Sequence, residues 1–121
     1  MIKFTVENEW INAADTDVAV VGITHYAQQQ LGEVVFVELP KIGTVFAQGD
    51  ETGVIESVKA AASIYTPVSG EIVAVNADVV DNPALVNDDP EGEGWLFKIK
   101  LSDPSQLDAL MDADAYMALL V

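Results

Sequence analysis

The amino-acid sequence predicts a mainly β domain, a barrel or sandwich with a helix at its C-terminal end. Short Val- and Ile-rich segments alternate with turns of Gly, Asn, Asp and Pro, a pattern typical of antiparallel sheets. A strand-turn-strand unit also recurs, since PKIGTVFA at 40–47 matches PVSGEIVA at 67–74, 27 residues later. The 121 residues suffice for one core, so we expect one domain over 1–121, with the barrel at about 18–101 and the helix at about 104–119.

The N-terminal part is predicted to contain three strands and one short helix. The strands are expected at 2–6, 10–11 and 18–23. Gly22 in the third strand indicates close packing or a bulge. Thr24 fits the N-cap of a helix that continues to Leu31, and Gly32 is the residue type that ends helices. The strand that follows, at 33–39, is mostly apolar and is expected to be buried on both faces.

The segment GVIESVKAAASIYTPVSG at 53–70 has the composition of a β-hairpin. Two β-prone arms flank a run of small residues, which places Lys59 at or beside the tip. A lone lysine in a hairpin is ordinarily a solubilising turn residue. A primary amine on a rigid, uncrowded tip also suits covalent attachment of a swinging arm. The 27-residue repeat relates Lys59 to Gly32, which predicts a second, equivalent hairpin tip there.

The C-terminal part begins with an acidic loop predicted over 76–93, with one helical turn at 82–86 that has Pro at its first position. Four carboxylates in this loop lack the spacing of a calcium-binding loop, namely Asp88, Asp89, Glu91 and Glu93. A last strand is predicted at 94–101. Asp103 then fits an N-cap, with Pro104 at the first helical position and Gln106 completing a capping box.

Composition excludes several classes of function. Five Lys and Arg against 20 Asp and Glu give a net charge of −15, which argues against binding nucleic acid or anionic membranes. The longest apolar run, at 18–23, is too short to cross a bilayer, and no targeting signal is visible, so we expect a cytoplasmic protein. His25 has no partner nucleophile and reads as a surface residue, and without cysteine no catalytic set emerges.

The run Glu56-Ser57-Val58-Lys59-Ala60, followed by PVSGEI at 67–72, resembles the lipoyl-attachment region of the glycine cleavage H-protein family. Further segments fit the family in order: VGIT at 21–24, AQ at 27–28, LGEVVFVELP at 31–40, PALVN at 83–87 and GW at 94–95. The resemblance implies a hybrid barrel-sandwich of the biotinyl/lipoyl type with short flanking helices. It also implies lipoate in amide linkage to Lys59, with the attaching enzyme recognising the lysine's four neighbours, Glu56, Ser57, Val58 and Ala60.

The resemblance further implies a non-catalytic, monomeric carrier. Such a carrier accepts an aminomethyl group from pyridoxal-phosphate-dependent glycine decarboxylase and offers it to an aminomethyltransferase. Dihydrolipoyl dehydrogenase then reoxidises it. In the family a His-Glu-Trp segment lies near a cleft that shelters the arm, and its carboxylate corresponds to Glu9. This sequence departs from the pattern with Asn8 in place of His, and with Pro90-Glu91 where Pro-Tyr is usual.

Three alternatives need comparison, and the residues around Lys59 argue against the first two. Lipoyl domains of 2-oxo acid dehydrogenases are shorter and usually have Asp before the lysine, where this chain has Val58. Biotinyl carriers normally flank the lysine with methionines, unlike Val58 and Ala60. The third alternative is an H-like protein that relays lipoate or serves as a regulatory interaction protein without glycine turnover, and the sequence leaves it open.

Overall fold

The computed structural model describes residues 2–13 and 17–120, and within these residues nine strands form two antiparallel sheets. The strands are β1 Ile2–Phe4, β2 Glu9–Asn12, β3 Val18–Ile23, β4 Val34–Glu38, β5 Val45–Phe46, β6 Glu51–Ser57, β7 Ala61–Tyr65, β8 Gly70–Val75 and β9 Phe97–Leu101. The larger sheet has the order β1-β2-β3-β9-β8-β5, and the smaller has the order β4-β6-β7. The mainly β prediction is therefore confirmed.

Helices flank the sheets. They are α1 His25–Leu31, α2 Ala77–Asp81, α3 Ala84–Asp88, a 3₁₀ helix Pro104–Ala109 and α4 Ala113–Leu120. No helix in the described part of the chain is long and apolar enough to cross a membrane.

Two apolar clusters hold these elements together. The main core lies between the sheets, where inward-facing strand residues such as Ile11, Val21 and Ile99 are fully buried. A smaller cluster joins Phe4, Trp10 and Tyr116 at the end of the molecule where α4 packs on β1. The Phe4 and Tyr116 rings stack there with centroids 4.7 Å apart. The smaller cluster lies directly beside the N-terminal turn that leads into β2.

Local sequence signals correctly predicted β3 and α1. The Thr24 side chain accepts a hydrogen bond from the backbone N–H of Ala27 at 3.2 Å, and Gly32 ends the helix with φ of 79°. Gly22 is the close contact expected in β3, because a Cβ at this position would lie 2.7 Å from ring atoms of Trp10. Thr24 thus fixes the start of α1, and Gly22 lets β2 and β3 pair beneath the buried indole of Trp10.

The prediction for 33–39 was wrong in its burial. Val34 and Val37 face the core, whereas Val35 and Phe36 are 49% and 46% exposed, because β4 covers the core on one face and its register with β6 shifts between residues 34 and 36. The predicted hairpin tip at Gly32 was also wrong. Gly32 is the C-cap of α1, and the repeated units instead pair with each other, β5 against β8.

The C-terminal predictions need three corrections. The expected loop at 76–93 contains α2 as well as α3, and β9 begins at Phe97 rather than at residue 94. The helix expected over 104–119 is divided in two, because Met111 adopts an extended conformation and exchanges backbone hydrogen bonds with Phe4 at 2.8 and 3.0 Å. Gln106 does not complete a capping box, since its side chain bonds Ser69 instead.

Candidate functional site

The tip of the β6–β7 hairpin is a compact turn closed by Ser57. The backbone N–H of Ser57 donates to the Ala60 carbonyl at 2.7 Å. Its Oγ accepts from the N–H groups of Ala60 and Lys59 at 3.0 and 3.3 Å and donates to the Ala60 carbonyl at 3.1 Å. One serine side chain therefore satisfies most polar groups of the turn, which makes the tip rigid without bulk.

The turn presents Lys59 to solvent above Gly32. Lys59, Val58, Ala60 and Glu56 are all exposed, and the Val58 N–H donates to the Glu33 carbonyl at 3.0 Å, which ties the tip to the start of β4. A Cβ at Gly32 would stand 3.4 Å from Cε of Lys59, so the lysine stem passes within contact distance of this glycine. The sequence-predicted attachment residues thus lie together on one exposed turn, and their roles stay predictions.

Asn87 fixes the backbone beneath the lysine, a role that sequence reasoning missed. Its Oδ1 accepts from the Val34 N–H at 2.9 Å, and its Nδ2 donates to the Gly32 carbonyl at 2.8 Å and to Gln28 Oε1 at 3.0 Å. One side chain from α3 therefore holds the end of α1 and the start of β4 together. Only its place in a segment that resembles the family pointed to this residue.

A cleft of about 200 Å³ begins beside the backbone that Asn87 holds. One wall is α1 and the other is β7, and a turn before β2 closes the far end. The cleft is lined by Glu7, Asn8, Glu9, Ile23, Ala27, Gln30, Leu31, Ile55, Ala62, Ser63 and Ile64. Because Leu31 precedes Gly32 and Ala62 lies three residues after Lys59, one end of the cleft lies near the lysine.

Glu9 lies at the far end of the cleft and is only 2% exposed. Its Oε1 accepts from the Thr5 hydroxyl at 2.8 Å, and its Oε2 accepts from the Tyr65 N–H at 3.1 Å. Burial raises the pKa of this carboxyl to about 7, against the smaller lowering effect of the two hydrogen bonds, and the nearby charge of Glu7 raises it further. Glu9 can therefore hold a proton near neutral pH, or lose it when a cation enters the cleft.

Both positions that depart from the family pattern lie at the N-terminus of α1. The Asn8 carbonyl accepts from the Thr24 N–H at 3.0 Å, and Glu91 accepts from the His25 N–H at 2.8 Å. Glu91 thereby caps the helix that forms one wall of the cleft. His25 is exposed, as predicted, and its ring lies 3.2 Å from the Gln28 amide. No cluster of carboxylates or histidine among the described residues is arranged to hold a metal ion.

Two sheets around one core, with a lysine at the tip of a hairpin, define the class of barrel-sandwich carrier domains that includes lipoyl and biotinyl domains. A family model described as glycine cleavage H-protein matches residues 2–121. The chain belongs to the glycine cleavage H-protein family, and it is a lipoyl carrier of the glycine cleavage system.

Individual relatives agree with this assignment. The chain is 56% identical to the glycine cleavage system H protein of Parvibaculum lavamentivorans over 115 residues, which covers 95% of this chain and 91% of the relative. It is 56% identical over 119 residues to that of Methylocella silvestris, with 98% and 94% covered. The crystal structure of a glycine cleavage system H protein from Mycobacterium marinum superposes with a TM-score of 0.90 at 35% identity, covering 98% of this chain and 95% of that one. The predicted barrel-sandwich fold is confirmed by this likeness.

Proposed function

We propose that Lys59 carries the lipoyl group, linked as an amide to its Nζ. The observation that carries the proposal is the position of the amine: it lies on a rigid, exposed tip, with its stem passing over Gly32, near one end of the cleft. An attaching enzyme can reach such an amine directly. Amide formation removes the lysine charge, so the arm can lie on apolar surface without the cost of burying an ion.

Strand β7, which forms one wall of the cleft, is about as long as the arm. From Ala61 to Tyr65 strand β7 advances four residues, about 13 Å at 3.3 Å per residue. A lysine side chain extended by a lipoyl group spans roughly 14 Å from standard bond lengths. When bound, the group supplies a disulfide that can be reduced and a thiol that can hold a one-carbon fragment. An arm laid along β7 would therefore end near Tyr65, whose N–H bonds the Glu9 carboxylate.

We further propose that Glu9 receives the positive charge of the carried aminomethyl fragment. A buried carboxylate stabilises an ammonium strongly when both are shielded from water. The lining includes Ile23, Ala27, Leu31, Ile55 and Ile64, whose apolar side chains would limit access of water to the fragment. The cleft would thus slow hydrolysis while the carrier moves between enzymes.

The partners follow from the family. We infer that the chain acts without catalysis of its own, as a cytoplasmic monomer that meets glycine decarboxylase, the aminomethyltransferase and dihydrolipoyl dehydrogenase, as well as the enzyme that attaches lipoate. The net charge of −15 supports fast, salt-dependent encounters with partners that have basic entrances.

The test is lipoylation followed by glycine–bicarbonate exchange. Wild type, Lys59→Arg and Lys41→Arg are incubated with a lipoate-attaching enzyme, and the intact masses and peptide maps are compared. We expect one lipoyl group on Lys59 in wild type and in the Lys41→Arg control, and none in Lys59→Arg. All three should have the same thermal stability, because both lysines are exposed. A lipoyl group on any other lysine would refute the assignment.

The regulatory or lipoate-relay alternative makes a different prediction in the second half of the test. Lipoylated wild type combined with glycine decarboxylase should support exchange of bicarbonate into glycine, and Lys59→Arg should not. A protein that accepts lipoate on Lys59 but supports no exchange would fit the alternative and contradict the carrier role in glycine turnover.

A further inference from the structure

We infer that the C-terminal helix α4 sets the shape of the cleft through the hydroxyl of Tyr116, which makes Tyr116 a positioning residue for Glu9. The segment through which it acts is the cleft turn, defined as residues 5–8, which joins β1 to β2. We call the contacts of Tyr116 with this turn the brace. Its importance for the carried group depends on the role proposed above for Glu9, whereas the contacts themselves are observed in the folded chain.

The Tyr116 hydroxyl joins three parts of the molecule. Tyr116 is 4% exposed, and its hydroxyl donates to Asn8 Oδ1 at 2.9 Å and lies 2.7 Å from Thr24 Oγ1. Because the amide oxygen of Asn8 can only accept, Tyr116 donates to it and accepts from the Thr24 hydroxyl. Thr24 Oγ1 in turn accepts from the Ala27 N–H at the start of α1. A directed chain of hydrogen bonds thus connects α4, the cleft turn and the wall helix.

Asn8 has an unusual backbone conformation, which asparagine adopts more readily than most other non-glycine residues. Its φ is 66°, and it is the one non-glycine residue with positive φ in the described part of the chain. This conformation reverses the chain immediately before Glu9. The Asn8 N–H donates to the Thr5 carbonyl at 3.1 Å, which closes the turn, and the Thr5 hydroxyl binds the Glu9 carboxylate. The direction of the Glu9 side chain therefore depends on the conformation of Asn8.

Helix α4 holds the cleft turn at both ends. At one end the Tyr116 ring stacks on Phe4, the residue that precedes the turn, with the ring planes 7° apart. At the other end the Tyr116 hydroxyl holds Asn8. Burial raises the pKa of the Tyr116 hydroxyl above its usual value of 10.0, so the group stays a donor throughout the physiological range. One side chain thus couples the C-terminal helix to the end of the cleft where Glu9 lies.

The test compares Tyr116→Phe with wild type in the protein without lipoate. The substitution keeps the ring stack and removes only the hydroxyl. The measurement is the titration of the Glu9 carboxyl by ¹³C NMR. We expect the pKa of Glu9 to fall by about one unit, because release of the cleft turn lets water reach the carboxylate. Asn8→Gly should give the same shift, since glycine keeps the positive φ and removes the acceptor.

One control separates positioning from general destabilisation. Ile72→Val loosens the main core at a residue that does not line the cleft. It should leave the Glu9 titration unchanged. The double variant Asn8→Gly with Tyr116→Phe should shift it no further than either single variant, because both break the same bond.

Three results would overturn the brace. They are an unchanged Glu9 titration in Tyr116→Phe and Asn8→Gly, an equal shift in Ile72→Val, and additive shifts in the double variant. Because no lipoate is present, failure of the Lys59 assignment would leave this measurement readable, and failure of the brace would leave the Lys59 assignment standing.

Discussion

Replacing Glu9 by Gln should make the protein more stable above neutral pH. Glutamine has the shape of the protonated acid, and its amide oxygen can accept from the Tyr65 N–H as the carboxyl does now. Its NH2 group then faces the Thr5 hydroxyl, which already accepts from the N–H groups of Glu7 and Glu9, so the bond that Thr5 donates to the carboxyl is lost. Glutamine cannot ionise. The substitution therefore removes the cost of holding a negative charge in a site that is 2% exposed, while it keeps the hydrogen bond from the Tyr65 N–H.

The magnitude follows from the pKa of Glu9. Burial raises it from an ordinary value of 4.5 to about 7, so the folded protein binds the proton more tightly than the unfolded chain. Stability conferred by this group is complete below about pH 4.5 and is lost as the pH rises through about 7. A difference of about 2.5 pKa units corresponds to about 3 kcal/mol at 1.36 kcal/mol per unit. Between about pH 4.5 and pH 8 the free energy of unfolding of Glu9→Gln should rise by about this amount relative to wild type.

The assay is urea unfolding at a series of pH values, followed by the combined fluorescence of Trp10 and Trp95. Glu38→Gln is the matched control, because it removes an equal charge from an exposed position on β4, outside the cleft. The free-energy difference between Glu9→Gln and wild type should grow with pH, whereas that of the control should stay nearly constant. If the two variants showed the same pH dependence, the loss of one charge from a highly acidic protein would explain it, and the reasoning about burial would be wrong.

Two further predictions concern the lysine tip and its support. Ser57→Ala should slow the attachment of lipoate to Lys59 severalfold, because the turn loses the hydrogen bonds that fix it. The free energy of unfolding should fall by about 1 kcal/mol or less, since the turn is exposed. Mass spectrometry over time measures the attachment, and an equal slowing in Ser63→Ala, on the same hairpin, would contradict the prediction. Asn87→Ala should lower the free energy of unfolding by about 2–3 kcal/mol, because it removes the partners of the Gly32 carbonyl and the Val34 N–H. Urea unfolding measures this, and a loss below about 0.5 kcal/mol would contradict the prediction.

The hairpin and the wall helix could be predicted because their signals are local. A capping threonine, a terminating glycine and small residues around a lysine act over a few positions, and the backbone responds to each almost independently of the remaining chain. Resemblance to the family allowed the overall barrel to be predicted as well. The division of the C-terminal helix was missed because the residue that interrupts it, Met111, pairs with Phe4, more than 100 positions earlier.

The cleft likewise combines features that the sequence predicts with features that depend on tertiary packing. The sequence by itself determined that a lysine would stand on a hairpin tip and that an acidic residue would precede Trp10. Only the tertiary structure decided that Glu9 would be buried, that its pKa would rise to about 7, and that Tyr116 would reach Asn8 across 108 positions. Burial and hydrogen bonding between distant residues depend on how sheets and helices pack, and no local pattern of residues encodes that packing.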